Sequence, residues 1–226
     1  MTASDFTVTE IDDTICAVAT RPGGALGIVR VSGPDAIRLT DSIFRSASKH
    51  PLASAPPYTL SYGQIIEADG TPVDDVLISV FRAPHSFTGQ DSTEISCHGS
   101  AYILEQVCRL LLEAGCRQAE PGEFTQRAFL AGKMDLSQAE AVADLIASGN
   151  RATHRIAMSQ LKGHFSSELS VLRDQLLKLT SLLELELDFS DHEELEFADR
   201  TELLSLAQRA DDRITELARS SRPDRP

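Results

Sequence analysis

Two segments place ionisable groups among apolar ones in ways that a plain surface loop does not need. The first, Ala83–Ser100 (APHSFTGQDSTEISCHGS), sets a polar loop before a strand-like run in which Glu94 lies close to apolar neighbours. The second, Glu120–Leu136 (EPGEFTQRAFLAGKMDL), mixes Phe124, Phe129 and Leu130 with Glu123, Arg127, Lys133 and Asp135. On residue pattern alone the second reads as a domain-joining turn carrying surface charges. Other chemistry is largely excluded. Cys97 and His98 are adjacent in a strand, so their side chains leave on opposite faces and cannot form a thiolate–imidazolium pair. His50, His85, His98, His154, His164 and His192 show no metal-ligand spacing. The acids between 184 and 199 lack the spacing and the glycine of a calcium loop, and read as a solvated helix junction with Asp191 and Asp199 as candidate N-caps. No GxxxxGK[ST] exists to cradle a phosphate, and the glycines of Arg21–Gly27 (RPGGALG) lack dinucleotide-binding spacing.

The elements that must hold these segments differ between the two halves. In the first half, Thr14–Thr20 and Gly27–Ser32 read as strands separated by a Pro-Gly-Gly turn, and a helix begins near Ser32-Gly33-Pro34-Asp35. Ile37, Ile43 and Phe44 face inward. His50–Pro57 is a loop. Tyr58–Ile66 and Asp75–Arg82 form a hairpin turned at Asp69-Gly70; Thr93–His98 is a strand, and Ser100–Ala114 a helix closed by Gly115. In the second half proline disappears from Ser137 to Ser220. Apolar residues at Met158, Leu161, Phe165, Leu169, Leu172, Leu176, Leu179, Leu183 and Leu187 recur at intervals of three and four, which predicts one long helix with an apolar stripe. A second helix starts near Arg200, with Leu203, Ala207, Ala210, Ile214 and Leu217 on one face. Ser220–Pro226 reads as a disordered tail.

Composition sets outer bounds. The 226 residues are 42% hydrophobic and 24% charged, which is globular. A net charge of −13 argues against broad nucleic-acid contact and against an anionic membrane surface. Aromatic residues are 5% with no Trp, too few for a base-stacking platform. The four cysteines form no CxxC pair, which reads as free thiols in a reducing cytoplasm. No apolar run is long enough for a membrane span, and Met1–Asp13 lacks the pattern of a secretory signal.

The chain resembles the N-terminal part of the MnmE (TrmE) family of tRNA-modifying GTPases. The resemblance is carried by DTICAVAT (13–20), GIVRVSGPDA (27–36), FRAPHSFTGQDSTEISCHGS (81–100), PGEFTQRAFLAGKMDLSQAEAVADLI (121–146) and the long helix ending in LELDFSD (185–191). It implies an α+β N-terminal domain over 1–127, similar to the folate-binding domain of the glycine-cleavage aminomethyltransferase. A partial all-α helical domain over 128–219 and a tail over 220–226 follow. It further implies a cytoplasmic homodimer that binds 5-formyltetrahydrofolate or another tetrahydrofolate derivative. In the family, work with MnmG modifies carbon 5 of the wobble uridine of tRNA. The family's GTPase domain, with its GTP, magnesium and potassium, and its terminal Cys-Ile-Gly-Lys have no counterpart in these residues, so the chain alone should not hydrolyse GTP.

Carried over by position, the folate contacts fall on Arg30, Glu94 and Lys133, with no catalytic residue and no metal ligand. A carboxylate such as Glu94 can accept the paired N–H groups of a pterin, and Arg30 and Lys133 can pair with folate's anionic oxygens. Arg30 lies between Val29 and Val31 and points to the other face, where such an arginine needs a partner; without the family, an internal salt bridge would explain it. The sequence departs from the family's pattern at the shortened 21–27 turn, at Gln90 in place of Glu and at Ala131 in place of Asn. Two other readings compete: a helical adaptor with no small ligand, and a free-standing one-carbon transferase. No general acid or base stands beside the proposed contacts to favour the latter.

Overall fold

A computed structural model describes residues 12–188 and 200–220. The chain divides into two compact units, Met1–Met134 and Asp135–Pro226. The first is an α+β domain and the second is helical.

The first unit is built on seven strands: β1 (Ile15–Val18), β2 (Leu26–Ser32), β3 (Phe44–Ser46), β4 (Thr59–Ile66), β5 (Pro72–Phe81), β6 (Ser92–His98) and β7 (Arg117–Gln118). Their order in the sheet is β3-β4-β5-β6-β2-β1-β7, with every pairing antiparallel except β1–β7. Helices α1 (Ala36–Ser42) and α2 (Ala101–Ala114) cover one face, and α3 (Glu123–Leu130) follows β7. Alternation decides what is buried. Val29, Val31, Ile95, Ile78 and Val80 point to the helix-covered face and are fully buried with Val107 and Leu111 of α2. Gly115 closes α2 as the sequence predicts, and the β4–β5 turn falls at Asp69-Gly70, where the Asp69 carboxylate accepts the Thr71 N–H. The second hairpin strand starts at Pro72, three residues earlier than the apolar pattern suggests, because the Glu67 N–H to Thr71 carbonyl bond already closes the turn. Phe44 is buried as expected, on β3 and not on the helix.

The second unit contains α4 (Leu136–Ala147), α5 (Arg151–Leu161), α6 (His164–Asp188) and α7 (Arg200–Ser220). Asp135 and Gln138 form a capping box at the start of α4. Asn150 caps α5 by accepting from the Ala152 and Thr153 N–H groups. The single helix predicted through residues 158–187 is broken in two. Gly163 adopts φ 76°, which a right-handed helix cannot contain, and Gln138 Nε2 donates to the Leu161 carbonyl at 2.9 Å, taking up an orphan acceptor at the end of α5. α7 packs on α6, burying Leu172, Leu203, Leu206 and Ala210, and Arg213 pairs with Glu168. The candidate caps Asp191 and Asp199 and the tail beyond Ser220 lie outside the described residues. No described helix is long and apolar enough to cross a membrane.

Candidate ligand-binding site

With Val29 and Val31 committed to the core, Arg30 projects from the opposite face of β2. Thr93 and Ile95 do the same for Glu94 on β6. The register sets Arg30 directly opposite Glu94. Arg30 Nε and Nη2 donate to Glu94 Oε1 at 2.9 and 2.7 Å. Both bonds end on one oxygen; among the described residues no hydrogen bond reaches Oε2. The pair is half-buried, which leaves it within reach of a ligand.

Two phenyl rings flank the guanidinium. Phe87 and Phe124 each place a ring centroid 5.6 Å from Arg30 Cζ, within cation–π range. Phe87 belongs to the loop between β5 and β6. That loop is pinned by Asp91, which accepts from the Ala83 N–H at 2.8 Å and from Arg82 at 3.3 Å. A 2.6 Å bond between the Thr88 and Ser32 hydroxyls ties it to β2. Gly89 turns the loop at φ 78°, and a side chain there would press on Ala131 Cβ at 3.1 Å. Lys133 Nζ donates to the Pro84 carbonyl at 2.9 Å. The loop therefore carries both the Phe87 wall beside Arg30 and the acceptor for Lys133, although no bond among the described residues joins Lys133 to Arg30 or Glu94.

A second network holds α3, and with it Phe124. Arg127 is 2% exposed and Glu123 8%, so these are not the surface charges that the residue pattern suggests. Arg127 Nη2 donates to Glu123 Oε1 at 2.8 Å and to Asp13 Oδ1 at 2.6 Å, while Nη1 donates to the Asp13 carbonyl at 2.9 Å and to Gln90 at 3.3 Å. Arg117 reaches the same two carboxylates, at 2.6 Å to Asp13 and 2.5 Å to Glu123. The Arg117 guanidinium is the main reason that the Glu123 carboxyl is held down at about 2, against the opposing effect of burial. Burial pushes the Asp13 carboxyl up, but bonds from Arg117 and Arg127 outweigh it and hold the group below its usual range. The sequence reading, which has Arg30, Glu94 and Lys133, does not place Phe87, Phe124, Glu123 or Arg127 in the site. The i, i+4 spacing of Glu123 and Arg127 was the available signal.

Cys16, Cys97 and Cys108 are not poised for nucleophilic work. All four cysteines are unpaired and buried. Burial pushes Cys97 up to about 11 and Cys108 up to about 12. A shared thiol hydrogen bond with Cys116, together with burial, pushes Cys16 up as well. His98 points away from Cys97, as strand geometry requires, and pairs with Asp74 at 2.7 Å. Among the described residues no cluster of His, Cys, Asp or Glu could hold a metal ion.

The face of the sheet that carries Arg30 and Glu94 is mixed, with exposed apolar side chains set among Ser79, Ser96, His98, Asp75 and Gln64. One cross-strand row runs Leu60, Ser79, Glu94, Arg30, Ala17, and the next runs Tyr62, Leu77, Ser96, Ile28. Leu60 is 65% exposed, Tyr62 56% and Leu26 70%.

Comparison with known proteins adds an independent line. The family model described as "GTP-binding protein TrmE N-terminus" matches residues 14–133, and that described as "MnmE helical domain" matches residues 136–225. Among curated proteins, the chain is 57% identical to the tRNA modification GTPase MnmE of Phocaeicola vulgatus and 60% identical to that of Bacteroides fragilis, over 92% of this chain in each case. It is 52% identical to the protein of the same name from Porphyromonas gingivalis. The alignments take in 48%, 44% and 44% of those relatives, so the chain spans about half their length.

Proposed function

Since this chain belongs to the MnmE (TrmE) family of tRNA modification GTPases, we propose that it is the folate-binding and dimerising module of such a protein. The observation that carries the folate reading is the half-buried Arg30–Glu94 pair, with one carboxylate oxygen uncommitted and two phenyl rings beside it. The residues fit the group. Glu94 Oε2 offers an acceptor to ring and exocyclic N–H donors, Phe87 and Phe124 offer apolar faces to a flat heterocycle, and Arg30 and Lys133 offer cations to its acidic portion. A bound tetrahydrofolate derivative such as 5-formyltetrahydrofolate supplies a one-carbon unit. In this reading the chain's residues bind and orient it.

In this reading the exposed sheet face is where a second copy docks. The complete protein works in the cytoplasm with MnmG on the wobble uridine of tRNA. The four buried free thiols suit that reducing compartment. The sequence holds no phosphate-cradling GxxxxGK[ST] motif, so this reading assigns GTP, with its magnesium and potassium, to none of these residues.

Calorimetric titration with 5-formyltetrahydrofolate tests the folate reading. Saturable binding is expected, weakened at least tenfold by Glu94→Ala, which removes the acceptor and leaves Arg30 without its partner. Arg30→Ala should weaken it similarly. Binding that persists unchanged in both variants would place the ligand elsewhere, and no binding by the folded chain would remove the ligand from this reading altogether.

A further inference from the structure

The acidic chain contains one stretch from which acids are missing. From Leu145 to Ser167 there is no Asp or Glu, in a sequence with 34 of them. Helix α5 occupies its centre. Arg151, Arg155 and Lys162 recur at helical spacing on one side, with His154 and Met158 beside them. These residues and Ser159 line a surface hollow of about 480 Å³. Arg151, His154, Arg155 and Lys162 are all exposed, and among the described residues none of their side chains has a hydrogen bond or ion pair.

The neighbouring acids are directed elsewhere. Asp144 of α4 lines a separate hollow with Ile156 and Gln160, on the far side of α5. Glu168, the first acid of α6, is taken by Arg213. The cations also work against the helix that carries them. The first turn of α5 holds no acid and begins with Arg151, at the positive end of the helix dipole, and Arg151 and Arg155 repel each other at i, i+4. Stability favours acids at this helix start. Cations there, exposed and on one side, with no partner among the described residues, suit an external polyanion.

We propose that the Arg151–Arg155–Lys162 face of α5 holds the phosphate backbone of a folded RNA. The inference rests on the reading above that the chain serves a tRNA-modifying protein, and it names the surface used. The stripe is about 16 Å long at 1.5 Å per residue, enough to meet several successive phosphates. Its contacts are with backbone and not with bases, so it positions the RNA without reading sequence. The −13 net charge confines binding to this strip and makes it strongly salt-dependent.

The test is binding of the 226-residue chain to fluorescently labelled tRNA at increasing salt, beside Arg151→Gln, Arg155→Gln, Lys162→Gln and the triple variant. Arg38→Gln on α1 makes the same change of net charge. These side chains are exposed, so the α5 variants should melt no lower than the parent, and thermal melts check that each variant is folded. Each α5 variant is expected to weaken binding of different tRNAs alike and to reduce the slope of log affinity against log salt by ~0.9, and the triple variant by ~2.7. tRNA binding with slopes unaltered in the α5 variants would overturn this surface while leaving tRNA as a partner. Equal losses in Arg38→Gln would reduce the effect to net charge and also overturn it. No tRNA binding by the unaltered chain, even at low salt, would overturn both the surface and direct tRNA contact by this chain. Binding to phosphatidylserine vesicles in place of tRNA would reassign the stripe to a lipid surface.

Discussion

Arg127 keeps its charge in a place where water cannot solvate it, so each of its acceptors matters more than a surface partner would. Glu123 and Asp13 supply the carboxylates, and the Asp13 backbone and Gln90 the remaining acceptors. The stabilisation from Glu123 is complete above its unfolded-state range near 4.5 and is lost as pH falls toward about 2, where the folded-state group protonates. Glu123→Gln should cost on the order of 2 kcal/mol at pH 7, since it leaves Arg127 and Arg117 with one carboxylate between them. In urea melts the gap between parent and variant should shrink as pH is lowered from 4.5 toward 2.5. A gap of constant size would mean that packing, and not charge, accounts for the loss. Phe124 follows Glu123 on α3, so the same acid range should also loosen the wall beside Arg30. The sequence showed Glu123 and Arg127 one helical turn apart but not their burial, because that depends on Asp13, 114 residues before Arg127 in the chain. Arg30 and Glu94 were more legible: each sits among residues that alternation commits to the core, so both had to leave on the other face.

At the scale of elements, the same alternation makes the five longer strands legible to within a few residues, while the short β3 and β7, too brief to show alternation, and the break in the long helix are not. Apolar residues at intervals of three and four (Met158, Leu161, Phe165, Leu169) continue in phase through residue 163, so periodicity alone reports one helix. The break is a matter of backbone conformation, which a single glycine permits and does not announce. Gly163→Ala separates the two cases. At φ 76° a Cβ costs about 1 kcal/mol in backbone strain, and the nearest atom to it would be Gln138 Nε2 at an ordinary 3.5 Å, so the cost is conformational and not steric. The second unit should therefore melt at lower denaturant in the variant. A stabilising effect, as Ala for Gly gives inside a helix, would mean that α5 and α6 run on as one.

At the scale of the molecule, the first unit has a sheet with one face packed by helices and another that presents Leu26, Leu60, Tyr62 and Leu77 to solvent. Single exposed leucines are ordinary, whereas several on one face, with Tyr62 and Leu77 directly paired and Leu60 next to Tyr62 along its strand face, form a candidate interaction surface. A second copy is the occupant proposed for it, and it would cover the face on which Arg30 and Glu94 stand. Each copy carries −13, so association must work against charge repulsion. Added salt should then strengthen self-association by screening, the opposite of its effect on an RNA held by the α5 cations. Sedimentation at tens of micromolar should give a particle of twice 24.6 kDa, more fully dimeric at about 300 mM salt than at about 50 mM. Leu60→Glu with Tyr62→Glu should return it to the monomer without lowering its melting temperature, because neither side chain is buried within the unit. A monomer at every salt concentration would leave the face without its proposed partner. Folate titration of that variant then decides whether the partner matters to the site: undiminished binding means that one copy's Arg30, Glu94 and Lys133 suffice, and lost binding means that the second copy completes the pocket.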